Sequence, residues 1–232
     1  MPIHGTTFKK NKKMTKLIIF DLDGTLIDTR IDIANACNFA LKQCGFPQRK
    51  LEEYNMLVGR GIDNLFRGAM PAEAVNEENV AKMRSIFVPF YNEHSCDYTK
   101  PYEGILEILE QLKGMGLHFA VASNKYQEGT QQLVEKFFGQ FNFVKILGQR
   151  EGKPIKPDPQ IVEEAMNGVP GITKDEVIYV GDSNVDMETG INAGIKTIGV
   201  TWGFRTREEL AAYKPYALVD SPEEIPAIIN NC

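Results

Sequence analysis

Long apolar runs are missing from this chain of 232 residues. No stretch approaches the ~20 consecutive apolar residues that a membrane-spanning helix needs, so no membrane partner is expected. Cysteine is scarce too. The four, Cys37, Cys44, Cys96 and Cys232, show no paired metal-binding spacing. Cys37 and Cys44 fall on one helical segment, roughly 10 Å apart along its axis, too far for a disulfide. All four are expected as free, buried thiols, which suits a reducing compartment. Positive charge is in short supply: 26 Lys+Arg face 31 Asp+Glu, a net charge of −5. Five of those lysines lie between Met1 and Lys16, where there is no acid, leaving −10 for the rest. An acidic body argues against nonspecific nucleic-acid binding. The basic start, residues 1–14, reads as a solvated tail. No apolar segment of signal-peptide type follows it, so a cytoplasmic location is expected.

What is present is ordinary in bulk: 43% hydrophobic and 25% charged residues, enough for a core of normal size. The informative stretch is local. Leu17-Ile18-Ile19-Phe20 reads as a buried strand, and it ends in Asp21 and Asp23, followed by Gly24 and Thr25. Side chains alternate along a strand, so the two carboxylates leave it on one side. Sites in open α/β sheets sit at that end of the strands.

The rest of the chain divides in two. Arg30–Cys44 has a helical face of Ala34, Cys37, Leu41 and Cys44, stopped by Gly45-Phe46-Pro47. Residues 49–70 are mixed and broken at Val58-Gly59-Arg60-Gly61. A second long helix is expected over 76–93, carrying Val80, Met83, Phe87, Phe90 and Tyr91. No convincing strand appears between Thr29 and Lys100. From Pro101 on, strands and helices alternate. Helices are expected at 104–115, 127–138, 158–166 and 223–229, and strands at 117–122, 143–147, 177–180, 197–200 and 217–219. That alternation predicts a mostly parallel sheet covered on both faces. The expected organisation is a discontinuous α/β core, residues 15–29 and 101–232, with an all-helical cap inserted at 30–100.

Four polar clusters each follow an apolar strand or a proline-fixed loop: Asp21/Asp23, Ser123-Asn124-Lys125, Lys156 in Pro154-Ile155-Lys156-Pro157-Asp158-Pro159, and Asp182/Asp186. Gathered at one sheet edge, the carboxylates would repel each other without a cation. Oxygen donors of this kind suit Mg²⁺. The hydroxyl and the lysine suit an anionic group such as phosphate.

Together these motifs resemble the haloacid dehalogenase-like phosphohydrolases. Asp-x-Asp-Gly-Thr-Leu-x-Asp-Thr is Asp21 to Thr29, the hydroxyl residue after the second strand is Ser123, the lysine is Lys156, and Gly-Asp-x-x-x-Asp is Gly181 to Asp186. Ser123-Asn124-Lys125, the Val58–Gly61 turn and Gly199-Val200-Thr201-Trp202-Gly203-Phe204 look most like the phosphoglycolate phosphatase branch. Glu103 departs from it, where a second proline is usual. The resemblance implies a Rossmann-like core and a Mg²⁺-dependent phosphatase acting on a small phosphorylated metabolite. It makes Asp21 the nucleophile and a metal ligand, and Asp23 the acid/base and a ligand through its backbone oxygen. It adds Asp182 and, directly or through water, Asp186 to the metal, and puts Ser123, Asn124 and Lys156 on the phosphate. A carboxyl at Asp23 favours phosphate-ester chemistry over dehalogenation. The same motifs serve a phosphosugar mutase similar to β-phosphoglucomutase, or a pyrophosphatase; a non-catalytic phosphate-binding regulator is a third reading. In the cap, Arg60 is the residue that could reach a substrate carboxylate. Asp28 and Thr29 read as helix caps, Trp202 and Phe204 as a loop packed on the core, and His118 as structural. His4 and His94 carry no signal.

Overall fold

The structure is a computed structural model, and it describes residues 14–232. The basic start, His4 included, falls almost wholly outside the described residues. Six strands form one sheet in the order β5-β4-β1-β6-β7-β8, every neighbouring pair parallel. They are β1 (Leu17–Phe20), β4 (His118–Tyr126), β5 (Phe143–Gln149), β6 (Val177–Gly181), β7 (Lys196–Val200) and β8 (Ala217–Val219). A separate two-residue ribbon pairs β2 (Ile27–Asp28) antiparallel with β3 (Lys100–Pro101).

Alternation along the strands builds the two sides of the sheet. Ile18, Phe20, Ile178 and Val180 enter one hydrophobic cluster with Ile108, Leu109 and Leu112 of α5 (Ile105–Gly114). Leu17, Ile19, Val177 and Tyr179 enter the opposite one with Ile161, Val162 and Ala165 of α7 (Gln160–Met166). Leu106, expected on the buried face of α5, is 38% exposed, because it sits off the i, i+3, i+4 stripe of its neighbours. Helix α6 (Gln127–Phe138) runs over the expected residues. Two helices of the core had no counterpart in the sequence pattern: α8 (Asn184–Ala193) and α9 (Arg207–Ala211). The last helix, α10 (Ile225–Asn230), closes the chain.

Between β2 and β3 the chain is helical: α1 (Arg30–Gln43), α2 (Tyr54–Leu57), α3 (Ile62–Ala69) and α4 (Glu77–His94). These helices enclose their own hydrophobic cluster around Cys37, Leu41, Phe66, Met83, Phe87 and Tyr91. The fold is therefore an α/β core with an inserted helical cap. Phe90, expected inside, is half-buried and stacks on Phe39 at 4.1 Å between ring centroids. All four cysteines are free, but only Cys37 and Cys232 are buried; Cys44 and Cys96 are half-buried. Cys44 caps the C-terminal end of α1, where the chain turns out of the helix. No helix among the described residues is long and apolar enough to cross a membrane.

The chain leaves and re-enters the core side by side. Asp32, in the first turn of α1, accepts from Tyr98 N at 3.0 Å, Thr99 N at 2.8 Å and Thr99 Oγ1 at 2.7 Å. One buried carboxylate thus ties the outgoing helix to the returning strand, 67 residues apart in sequence. The expected capping pair at the exit splits. Asp28 accepts from Arg30 N at 3.2 Å, whereas the Thr29 hydroxyl makes no capping bond.

Candidate active site

β1 leads toward β4 and β5, and β6 leads toward β7 and β8. Neighbouring strands whose connections depart in opposite directions open a crevice at their C-terminal ends. Asp21 and Asp182 follow directly on β1 and β6 at that crevice. The alternation that buries Leu17 and Ile19 on the α7 side carries Asp21 to that side too. Tyr179 lies there, and so does the loop preceding α7, which brings in Lys156.

Asp21, Asp182 and Asp186 each place a carboxylate oxygen within 4.8 Å of the others, and all three are buried. Asp21 Oδ1 accepts from Leu22 N at 2.7 Å and lies 2.9 Å from Lys156 Nζ. Asp182 accepts from Thr25 Oγ1 at 2.9 Å and from Phe204 N at 2.7 Å. Asp186 has two jobs. Its Oδ2 closes the capping box of α8 through Ser183 N (3.0 Å) and Ser183 Oγ (2.6 Å). Its Oδ1 receives Lys156 Nζ at 2.7 Å and Tyr179 OH at 3.2 Å. Glycine makes this crowding possible. A Cβ on Gly24, whose φ is +85°, would stand 2.4 Å from Asp182 Oδ2, and one on Gly203 2.3 Å from the same atom.

Electrostatics follow from the burial. Desolvation first, and repulsion from Asp186 second, push Asp21 well above the usual carboxylate range, against the pull of Lys156. The same two causes push Asp182 up to about 7 despite its two hydrogen bonds. Burial opposes the Lys156 charge, but Asp186 and Asp21 outweigh it and hold the ammonium well above the usual lysine range. Three crowded carboxylates face one ammonium, and their hard oxygen donors fit a divalent cation of the Mg²⁺ type.

A cavity of about 50 Å³ lies between this cluster and the cap. Asp21, Asp23, Ser123, Asn124 and Lys125 form its floor, and Ile33, Val58, Ile62, Leu65 and Phe87 are its cap-side walls. β4 runs on through Ser123–Lys125, which were expected to lie beyond it, but its pairing with β5 slips between Ala122 and Tyr126. That irregularity turns these side chains toward the crevice.

Asn124 does not aim its amide at the cavity. Its Oδ1 accepts from Lys156 N at 2.8 Å, and its Nδ2 donates to Lys156 O at 3.1 Å and to Gly59 O of the cap turn at 3.0 Å. Arg60 is exposed and does not line the cavity.

The geometry of acids, lysine and cap has its counterpart in known proteins. The sequence profile of the haloacid dehalogenase-like hydrolases matches residues 18–200. The chain belongs to the haloacid dehalogenase-like hydrolase family. Within it, a phosphoglycolate phosphatase of Vibrio parahaemolyticus is 31% identical over 219 residues, 92% of this chain and 96% of that protein. A phosphoglycolate phosphatase of Aquifex aeolicus is 31% identical over 216 residues, 93% of this chain and 97% of that one. Among solved structures, a predicted phosphoglycolate phosphatase from Haemophilus somnus superposes with a TM-score of 0.85 at 30% identity, covering 92% of this chain and 97% of that one. This member of the family therefore sits in the phosphoglycolate phosphatase-like branch.

Three parts of this hydrolase's site escaped the sequence reading. Tyr179 was seen only as a strand residue, yet its hydroxyl bridges Lys156 Nζ at 3.0 Å, Asp186 and the Ala122 carbonyl at 3.0 Å. A tyrosine on a strand three positions before Asp182, on the Asp21 side of the sheet, was the available signal. Arg205, 5% exposed, donates from its guanidinium to the carbonyls of Asn55, Met56 and Val58. Those oxygens lie in and just beyond α2, where helix carbonyls lack partners within the helix. Nothing in the sequence pairs the two segments. Asp32, the buried acid that ties α1 to the returning chain, carries no signal that sets it apart in the sequence. Trp202 packs on the core as expected and donates from Nε1 to Thr25 O at 3.1 Å. Phe204 is buried in the cap cluster instead.

Proposed function

We propose that this hydrolase removes the phosphoryl group from a small phosphorylated metabolite, with phosphoglycolate first among candidates, in a Mg²⁺-dependent reaction through an aspartyl-phosphate. Its class is phosphoric monoester hydrolase. The observation that carries the reading is Asp21: a strand-end carboxylate held by Leu22 N and Lys156, lining a cavity under the cap. Asp21 attacks phosphorus, and the bond between phosphorus and the ester oxygen breaks, dividing one hard displacement into two easier ones. Asp23 lines the same cavity and gives its proton to the departing oxygen. It then takes a proton from the water that attacks the aspartyl-phosphate, which frees phosphate and restores Asp21. Lys156 supplies positive charge beside Asp21, and the Ser123 hydroxyl faces the transferring phosphoryl group.

The residues that would hold Mg²⁺ are Asp21, Asp182, Asp186 and the backbone oxygen of Asp23, and the bound ion supplies charge neutralisation between nucleophile and phosphate. The cap, taken as residues 30–100 over a core of 15–29 and 101–232, closes the cavity and excludes bulk water. The separate hydrophobic cluster of α1–α4 supports that division. The test is phosphate release from a panel of monoesters by the purified chain, after chelation and with Mg²⁺ restored. Failure to hydrolyse any monoester with Mg²⁺ present would sink the reading.

A further inference from the structure

We propose that Lys125 reads an acidic group on the leaving side of the substrate, so that the preferred ester is short and carries a carboxylate. The inference rests on the monoester-hydrolase reading above and assigns it a specificity residue.

Among the described residues, Lys125 is the one cation lining the cavity; Lys156 stands behind Asp21. The Lys125 side chain is 5% exposed. Its Nζ lies 3.1 Å from Asp23 Oδ1 and 3.0 Å from Tyr91 OH on α4, and 4.6 Å from the centre of the Tyr91 ring. An ammonium carries three donors. Tyr91 takes one in a hydrogen bond, while Asp23 Oδ1 lies beside the ammonium as an ion pair without accepting a hydrogen bond, so donor capacity remains for an acceptor in the cavity.

The walls decide what that acceptor belongs to. On the cap side they are aliphatic or aromatic: Ile33, Val58, Ile62, Leu65 and Phe87. A leaving group with several hydroxyls, such as a sugar, would set them against carbon with no partner, and buried polar groups without partners are costly. A single buried ammonium beside the group that protonates the leaving oxygen matches one anionic group close to that oxygen. A carboxylate there forms a charge-assisted hydrogen bond with Lys125.

The experiment compares phosphoglycolate with 2-hydroxyethyl phosphate, which has the same length and a CH₂OH in place of the carboxylate. The readout is the ratio of their kcat/KM values with Mg²⁺. For the native chain the expected ratio is about a hundredfold or more in favour of the acid, since a site built around a polar group rejects an analogue lacking it. Lys125→Met keeps the stem and drops the charge; it should shrink the ratio by about tenfold or more. Lys125→Arg and Tyr91→Phe, which both keep a cation, should preserve most of it. They keep the inference testable if the methionine variant does not fold. A native ratio near one, or faster turnover of glucose 6-phosphate than of phosphoglycolate, overturns the proposal while the phosphatase reading stands. So does a Lys125→Met variant that slows both esters equally, because a strut between core and cap would do that. Absence of hydrolysis of every monoester by the native chain is the separate failure of the broader reading, and it removes this proposal as well.

Discussion

The Asn124 side chain brackets the backbone of Lys156, accepting from its N–H at 2.8 Å and donating to its carbonyl at 3.1 Å. The amide so fixes the loop that carries the site's lysine, and a further bond to Gly59 O fastens the same amide to the cap.

Asn124→Ala removes all three bonds and leaves buried backbone groups unpaired. Stability should fall by about 1–3 kcal/mol per unpaired group, within the range for a lost buried partner. Turnover should fall by about 10- to 100-fold, because a misplaced catalytic group costs that much. Denaturant midpoints and kcat on one preparation check both, and unchanged kcat would mean that Lys156 is placed without Asn124.

Asp21→Asn is expected to lower phosphate release by about 10³-fold or more, since removal of a nucleophile leaves only residual catalysis. The protein should stay folded. In the absence of metal its melting temperature should match or exceed that of the native chain, because the variant relieves a desolvated carboxylate repelled by Asp186. Activity retained in a folded variant would reassign the nucleophile.

Asp182 makes stability depend on pH in the metal-free protein. Its folded value, pushed up to about 7, lies above the ordinary carboxylate value of 3.8 that it has when unfolded. Between these values the folded state binds more protons, so stability falls as pH rises. The contribution is fully present below the unfolded value and lost as pH rises through about 7. The melting temperature after chelation should therefore drop from pH 5 to pH 8. Added Mg²⁺ should raise it more at pH 8 than at pH 5, as protons and cation compete for the same oxygens. A chelated protein equally stable across that range would contradict the assignment.

Arg205→Met removes the guanidinium that holds the carbonyls of Asn55, Met56 and Val58. Arg205→Lys should rescue little, because an ammonium lacks the planar fork. Amide exchange at residues 54–58 should quicken in both variants, and kcat/KM should fall by about tenfold through a looser cap. Exchange unchanged at 54–58 would show that the latch does not hold the cap.

Much of this architecture was legible in order along the chain. Leu17–Phe20 alternates into both faces of the sheet, and helix α6 runs over the expected residues. Where the reading missed, a tertiary neighbour had decided the outcome. β4 extends past Ala122 because β5 pairs with it as far as Gln149. Helix α8 has a weak amphipathic pattern, as it packs Val185, Met187, Thr189, Gly190 and Ala193 inward on several sides. Phe90 found a ring partner on α1 rather than the interior of the cap.

The sequence alone determined that a strand ends in Asp21 and Asp23, that a hydroxyl, a lysine and two more acids follow at spaced turns, and that helices interrupt the strands. Those are local facts, carried by periodicity and turn residues. Only the tertiary structure decided which groups meet: Lys156 with Tyr179, Lys125 with Asp23, Asn124 with Gly59, and Arg205 with Asn55. The last pair is separated by 150 residues. No pattern within a strand or helix can encode such a pairing, because it depends on how the sheet orders its strands and where the inserted cap comes to rest.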